Sequence, residues 1–189
     1  MAPVRIYYDC EFIEDGRTID LISIGMASSG MASSDCRELY RVTSHAPTID
    51  RALLHPWLRE NVVPSLPVIV NGDRWEWDPA AAEGPHGVVR DRETIRQEVT
   101  SFIIKAGRDV ELWADYGAYD HICLAQLFGT MIDFPAGFPM WTNDLRTLWL
   151  LHGKPDLPRQ AKGIHNALAD ARHSLDLGEF FRLRGRPTY

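Results

Sequence analysis

The segment Val4-Arg5-Ile6-Tyr7-Tyr8-Asp9-Cys10-Glu11-Phe12 opens the chain with a β-branched and aromatic run that ends in two acids. Such residues suit a pleated, half-buried surface, so the run predicts a strand over Val4–Cys10. Side chains alternate along a strand, which puts Tyr7, Asp9 and Glu11 on one face and Ile6, Tyr8 and Phe12 on the other. Neighbouring carboxylates repel each other. A fold keeps them together when a cation neutralises them or when one holds a proton for acid–base work. The alternative is a solvated strand end, and the same Asp-x-Glu spacing recurs at Asp91/Glu93 and Asp109/Glu111. Only the first copy closes a β-branched and aromatic run.

Working outward, the turn Glu14-Asp15-Gly16-Arg17 leads to a second, largely buried strand over Thr18–Ala27. Met31–Ser34 reads as a small-residue turn and Arg37–Val42 as a third strand, which completes an antiparallel meander. Ile49–Glu60 reads as a helix in which Pro56 is an irregularity. Residues 61–88, interrupted by Pro64, Pro67, Gly72, Pro79, Gly84 and Pro85, read mostly as loop. Asp91–Ala106 is a helix with Ile95, Val99, Phe102 and Ile103 at helical spacing. A strand at Glu111–Tyr116 precedes helices near Ala118–Phe128, Asp144–His152 and Ala167–Arg184. A meander followed by alternating elements predicts an α/β fold, a mixed central sheet flanked by helices. With no repeat or linker, residues 1–189 read as one domain.

Composition narrows the function classes. Apolar content of 45% and charged content of 24% are ordinary for a soluble globular protein. The first residues lack the apolar stretch expected of a signal peptide and no run approaches the length of a membrane span, so no membrane partner is expected. Cys10, Cys36 and Cys123 are unclustered, which argues against a disulfide framework or zinc site and suits the reducing cytoplasm. A net charge of −6 is the wrong sign for gripping long duplex, so a nucleic-acid role would be local.

Two later segments bring acids into apolar surroundings. In Leu112-Trp113-Ala114-Asp115-Tyr116-Gly117-Ala118-Tyr119-Asp120-His121, Asp120 falls in a first helical turn above Leu124 and Leu127. A first-turn acid is also a common dipole partner, and Asp115 competes with it at the strand end. His121, a helical step round from Asp120, is expected to face elsewhere. In Gly163-Ile164-His165-Asn166-Ala167-Leu168-Ala169-Asp170-Ala171-Arg172, Asp170 lies beside the docking stripe Leu168, Ala171, Leu175, Gly178 and Phe181. Asn166 is placed to cap that helix, and His165 belongs to the loop before it. The His-x4-Asp spacing recurs at His45/Asp50 and His86/Asp91, but at polar helix starts. A structural loop histidine remains the alternative for His165.

Together, Asp9, Glu11, Asp120 and Asp170, with His165 beside them, match two-metal phosphoryl chemistry, in which two divalent ions clamp the attacking and leaving oxygens. Hard oxygen ligands favour Mg2+ or Mn2+ over zinc.

Asp9-Cys10-Glu11, Ala118-Tyr119-Asp120 and His165-x4-Asp170 resemble the three motifs of the DEDDh 3′→5′ exonucleases, whose fold is ribonuclease H-like. More narrowly, Tyr8-Asp9-Cys10-Glu11-Phe12-Ile13-Glu14-Asp15-Gly16, Leu112–Ala114 with Tyr116–Asp120, and His165-x-Ala167-Leu168-x-Asp170-Ala171-Arg172 resemble the ribonuclease AS family of mycobacteria. That resemblance implies a homodimeric exoribonuclease that prefers adenylate and acts on single-stranded RNA 3′ ends. It implies that Asp9, Glu11, Asp120 and Asp170 hold two Mg2+ or Mn2+ ions per site. It further implies that Glu11 contacts the terminal 3′-hydroxyl and that His165 deprotonates the attacking water. Asn166 stands where the DEDDy subclass has tyrosine, so the histidine type fits. Phe12 replaces a threonine common in the superfamily and is expected to pack against a terminal nucleotide. Cys10 replaces the threonine of the narrower family.

Trp75, Trp77 and Trp141 are candidate stacking surfaces for bases, with ordinary packing as the alternative. Arg159 and Lys162 are candidate phosphate contacts or simply solvated, and Arg182, Arg184 and Arg186 suit the negative end of the last helix. The resulting expectation is a metal-dependent 3′→5′ exoribonuclease releasing nucleoside 5′-monophosphates. The rivals are an exonuclease on DNA or very short oligonucleotides and a catalytically silent nucleic-acid-binding module.

Overall fold

The opening run forms β1 (Val4–Glu14), longer than its apolar residues alone predict, and it lies inside a six-stranded sheet. The computed structural model describes residues 3–29, 38–72, 74–82, 87–107 and 109–185. The expected turn at Met31–Ser34, together with Cys36, Arg37, Gly84, Pro85, His86 and Arg186, lies outside them. β1 pairs antiparallel with β2 (Ile19–Ser28), and β2 pairs antiparallel with β3 (Glu38–Thr43), as the meander predicts.

After β3 the chain forms α1 (Ala46–Leu54) and α2 (Pro56–Asn61), two helices where one irregular helix was expected. Pro56 cannot continue α1 but suits the first position of α2, and His55 Nδ1 accepts the Leu58 N–H to cap that start. The stretch 61–88 is more ordered than its prolines and glycines suggest. It holds a 3-10 turn at Val63–Ser65, a hairpin of β4 (Val68–Asn71) and β5 (Arg74–Trp77), and the short α3 (Pro79–Ala82). Trp75 and Trp77 fix that hairpin, meeting edge to face at 4.9 Å and packing on the cluster around Ile49.

The remaining elements are β6 (Val89–Arg90), α4 (Arg92–Ala106), β7 (Val110–Ala114), α5 (Gly117–Gln126), a 3-10 turn at Met131–Asp133, β8 (Thr142–Asp144), α6 (Leu145–Leu151) and α7 (Ala167–Leu183). The sheet order is β6-β3-β2-β1-β7-β8, with β6, β7 and β8 each parallel to its neighbour. The sheet is therefore mixed and flanked by helices. β6 and β8, of two and three residues, are too short to show a period in the sequence.

Alternation divides the core between the two faces. Ile6, Tyr8, Cys10, Ile24 and Met26 pack with Ile95, Val99 and Ile103 of α4 and with Cys123 and Leu124 of α5. On the other face, Ile22 and Val42 pack with Ile49 of α1 and Leu58 of α2, while Tyr7 and Trp113 pack with Leu177 and Phe181 of α7. β2 carries one extra residue, Ile22, between Leu21 opposite Phe12 and Ser23 opposite Glu11. This bulge moves Ile22 to the α1–α2 side, next to the strand acids. Among the described residues no helix is long and apolar enough to cross a membrane.

Two glycines let α7 lie directly on the sheet. A Cβ on Gly25 would stand 2.2 Å from the Ala167 carbonyl carbon and the Leu168 nitrogen, and one on Gly178 would stand 2.3 Å from Tyr7 Cζ. Gly25→Ala must lift the first turn of the helix, so unfolding in urea should show a loss of about 2–3 kcal/mol. An unfolding midpoint equal to the parent's would contradict this account of the contact.

Candidate active site

The site forms where β1 outruns its parallel neighbour. β7 pairs with β1 from Val4 to Tyr7 and ends at Ala114, so the backbone beyond Tyr8 has no ladder partner on that side. The Cys10 N–H donates instead to Asp120 Oδ1 at 2.8 Å. An unpartnered backbone donor thereby fixes an acid from another element. Asp120 is only 4% exposed and sits in the first turn of α5. That turn is tied down in its own right. Tyr116 takes a left-handed conformation (φ 58°), and the Gly117 N–H donates to Asp144 Oδ2 at 2.8 Å. Asp144 also caps α6 by accepting the Thr147 N–H at 2.8 Å.

The second approach comes from α7. Asp9 is opposite Gly25 in the β1–β2 ladder, and the helix starts on that glycine. Asn166 caps the helix through the Ala169 N–H at 3.1 Å, as the sequence predicts. Asp170 accepts the His165 N–H on Oδ2 at 2.8 Å and the Gln160 side-chain amide on Oδ1 at 2.6 Å. His165 is also left-handed (φ 65°), and its Nδ1 is 4.0 Å from Glu11 Oε1. Glu11, His165 and Asp170 each present a ligand atom, all within 4.8 Å of one another.

Electrostatics mark the cluster as short of positive charge. Burial pushes Glu11, 7% exposed, up to about 8, and the charges of Asp170 and Asp120 add to the effect. Burial likewise raises Asp120 to about 7, against the stabilising bond from the Cys10 N–H. Asp9 is held well above the usual carboxylate range, first by burial and then by Asp120, Glu11, Asp170 and Asp115. Burial also raises Asp170, restrained by the Gln160 and His165 bonds. Among the described residues no Arg or Lys forms an ion pair with Asp9, Glu11, Asp120 or Asp170. Four convergent carboxylates beside an imidazole, with no basic side chain bridging them, are a donor set that fits hard divalent cations.

The other candidates separate by their partners. Asp115 is bound by Arg146 at 2.6 Å, while Asp120 is the acid bonded to β1. His121 bonds Thr142 at 3.0 Å and lies outside the cluster. The two other Asp-x-Glu pairs have ordinary duties. Asp91 caps α4, Glu93 binds Arg96, and Glu111 binds Arg5 and the Trp113 indole. Phe12 is on the opposite face from Glu11 and stacks on Tyr119, ring centres 6.2 Å apart. Trp75 and Trp77 are packing residues, Trp75 donating to Asp50 at 2.7 Å, whereas Trp141 is exposed. Arg159 and Lys162 are exposed on the loop before His165. Arg182 pairs with Glu179, and Arg184 lies over Phe180. Gln160, Ser65 and Trp57 touch Asp170 or His165 and were missed in the sequence. Nothing in a lone polar loop residue, or in a serine 100 positions from its partner, signals such contacts.

Comparison with known proteins matches residues 4–180 to the family model of the 3′-5′ exoribonuclease Rv2179c-like domain. The chain is also 39% identical over 173 residues to 3′-5′ exoribonucleases of Mycobacterium tuberculosis, Rv2179c of strain H37Rv and MT2234.1 of strain CDC 1551. The match covers 91% of this chain and 89% of each relative.

The raised carboxyls make a sign-definite prediction. Unfolded, Glu11 and Asp120 titrate near their ordinary values of 4.5 and 3.8; folded without metal they titrate at about 8 and about 7. The native state therefore binds the extra protons across that window, and their contribution to stability is lost as pH rises through it. A divalent cation replaces those protons, so the melting-temperature gain from Mn2+ over EDTA should be larger at about pH 8 than at about pH 5. A gain that does not vary with pH would contradict the cluster's assigned character.

Proposed function

Because this chain belongs to the Rv2179c-like 3′-5′ exoribonuclease family, we propose that it hydrolyses the 3′ end of single-stranded RNA at the tip of β1, with a preference for adenylate. The chain is a 3′-5′ exoribonuclease, and the products on this reading are nucleoside 5′-monophosphates. The observation that carries it is the approach of Glu11, His165 and Asp170 to within 4.8 Å at a strand end that Asp9 and Asp120 also serve.

Asp9, Glu11, Asp120 and Asp170 would hold two divalent cations, Mg2+ or Mn2+. Bound there, such a pair supplies Lewis-acid activation of water and charge stabilisation at the attacking and leaving oxygens. His165, whose Nδ1 is 4.0 Å from Glu11 Oε1, takes the proton of the attacking water. Water oxygen bonds to the terminal phosphorus as the bond to the preceding 3′-oxygen breaks, and that oxygen takes a proton from solvent water and leaves as a 3′-hydroxyl. Glu11 accepts a hydrogen bond from the terminal 3′-hydroxyl. Phe12, whose stack continues into the exposed ring of Tyr119, offers an apolar surface to the terminal nucleotide.

A meander on one side of β1 and parallel strands on the other support a ribonuclease H-like fold, one exonuclease domain over residues 1–189. The family resemblance supports a homodimer. The free thiols of Cys10 and Cys123 support a reducing, cytoplasmic setting.

Asp9→Ala should abolish Mn2+-dependent hydrolysis of an adenylate oligomer. His165→Ala should lower kcat by about 10²–10⁴-fold while Mn2+ affinity, measured by titration, stays within a few-fold. Loss of Mn2+ binding in His165→Ala would contradict the base assignment. The deoxy oligomer and the adenylate dinucleotide should turn over more slowly than the ribo-oligomer. A faster deoxy oligomer would favour DNA, and a faster dinucleotide would favour very short oligonucleotides. Binding that survives Asp9→Ala, with neither protein active, would favour a silent module.

A further inference from the structure

We propose that Ser65 and Trp57 are positioning residues that hold His165 in the attitude its proton transfer needs, an inference that rests on reading His165 as the general base. His165 is not a glycine, yet its φ is 65°, a region that L side chains rarely adopt. Such a conformation persists when surrounding contacts over-determine it. Three different elements supply those contacts. From α7, Asp170 accepts the His165 N–H at 2.8 Å. From the 3-10 turn, the Ser65 hydroxyl donates to the His165 carbonyl at 2.6 Å. From α2, the Trp57 ring meets the imidazole at 4.9 Å between centres, with the planes 78° apart.

The serine contact is specific. The hydroxyl has one hydrogen and two carbonyls in reach, and His165 is nearer than Val62 at 2.9 Å. The Asn166 amide reaches back to the Ser65 carbonyl at 3.4 Å, so the residue after His165 is held to the same turn. The tryptophan is unusual for its place. It is 47% exposed on a six-residue helix, outside all three core clusters, so core packing gives no reason for a large aromatic there. Its contact with the imidazole does.

The mounting is rigid. Leu58, next to Trp57, and Val62, Val63 and Leu66, around Ser65, are buried in the cluster with Ile22, Val42 and Ile49. A ring fixed from its side by Trp57, a carbonyl fixed by Ser65 and an N–H fixed by Asp170 leave the imidazole little freedom beside Glu11. Active sites depend on such support, because a small misplacement of a reacting group costs large factors in rate.

Single variants and a double-mutant test check the idea. Ser65→Ala and Trp57→Ala should each lower kcat on an adenylate oligomer by about tenfold or more, with KM and directly titrated Mn2+ affinity within about twofold. Ser65→Thr, which keeps the hydroxyl, and Trp57→Phe, which keeps an aromatic edge, should recover most of the rate. Residues that act only through the imidazole lose their effect without it, so neither alanine should slow His165→Ala further. Unchanged kcat in the single variants would overturn the inference while leaving the base assignment intact. An equal drop in the His165→Ala background, or raised KM at constant kcat for Trp57→Ala, would also overturn it. Full activity of His165→Ala would remove the base assignment and this inference together.

Discussion

The first turn of α7 rests on Gly25 with no side chain between helix and strand, and the geometry of the acidic cluster follows from that contact. Gly25 is the ladder partner of Asp9, so the helix starts at the strand position that matters. Asn166 caps this turn, His165 precedes it and Asp170 lies within it, so all three are placed by one backbone approach. Gly178 makes the second close contact, against the Tyr7 ring, and fixes the line of the helix along the same sheet face. Close-packed interiors transmit shifts of this kind, so side-chain size at Gly25 bears directly on the distance between Asp170 and Glu11.

The same convergence carries an electrostatic cost. Four carboxyls gather where burial and mutual repulsion favour the neutral form, and among the described residues the bonds to Asp120 and Asp170 come from backbone N–H groups and the Gln160 amide rather than from cationic side chains. The Cys10 N–H holds Asp120, and the His165 N–H holds Asp170. Arg146 takes up Asp115, which would otherwise add a further unpaired acid near Asp9. Backbone donors fix the direction of a carboxylate without filling the space in front of it. A donor set of this kind suits divalent cations better than a set of closed salt bridges would.

Much of this is readable in the sequence because strong periods and caps speak locally. The alternation of Ile6 to Phe12 sorts the two faces of β1 correctly, and Asp91, Asp144 and Asn166 cap helices begun by local rules. Residues 61–88 read mostly as loop because prolines and glycines dominate the surroundings of the β4–β5 hairpin. Its β-branched Val68-Ile69-Val70 followed by Asn71-Gly72 was nevertheless a usable signal. Spacing alone does not separate Asp115 from Asp120, since their partners depend on where β7 ends relative to β1 and on an arginine in α6. The support around His165 was hidden for the same reason. Ser65 and Trp57 come from a segment 100 residues or more away, joined to it only by the folded core.

Every role assigned to these residues requires metal at the end of β1. Crystals grown with Mn2+ and a nucleoside 5′-monophosphate, measured for anomalous scattering, test this most directly. The account predicts two ions about 4 Å apart within reach of Asp9, Glu11, Asp120 and Asp170, with the phosphate against them. Ions bound elsewhere, or a monophosphate seated away from this cluster, would contradict it.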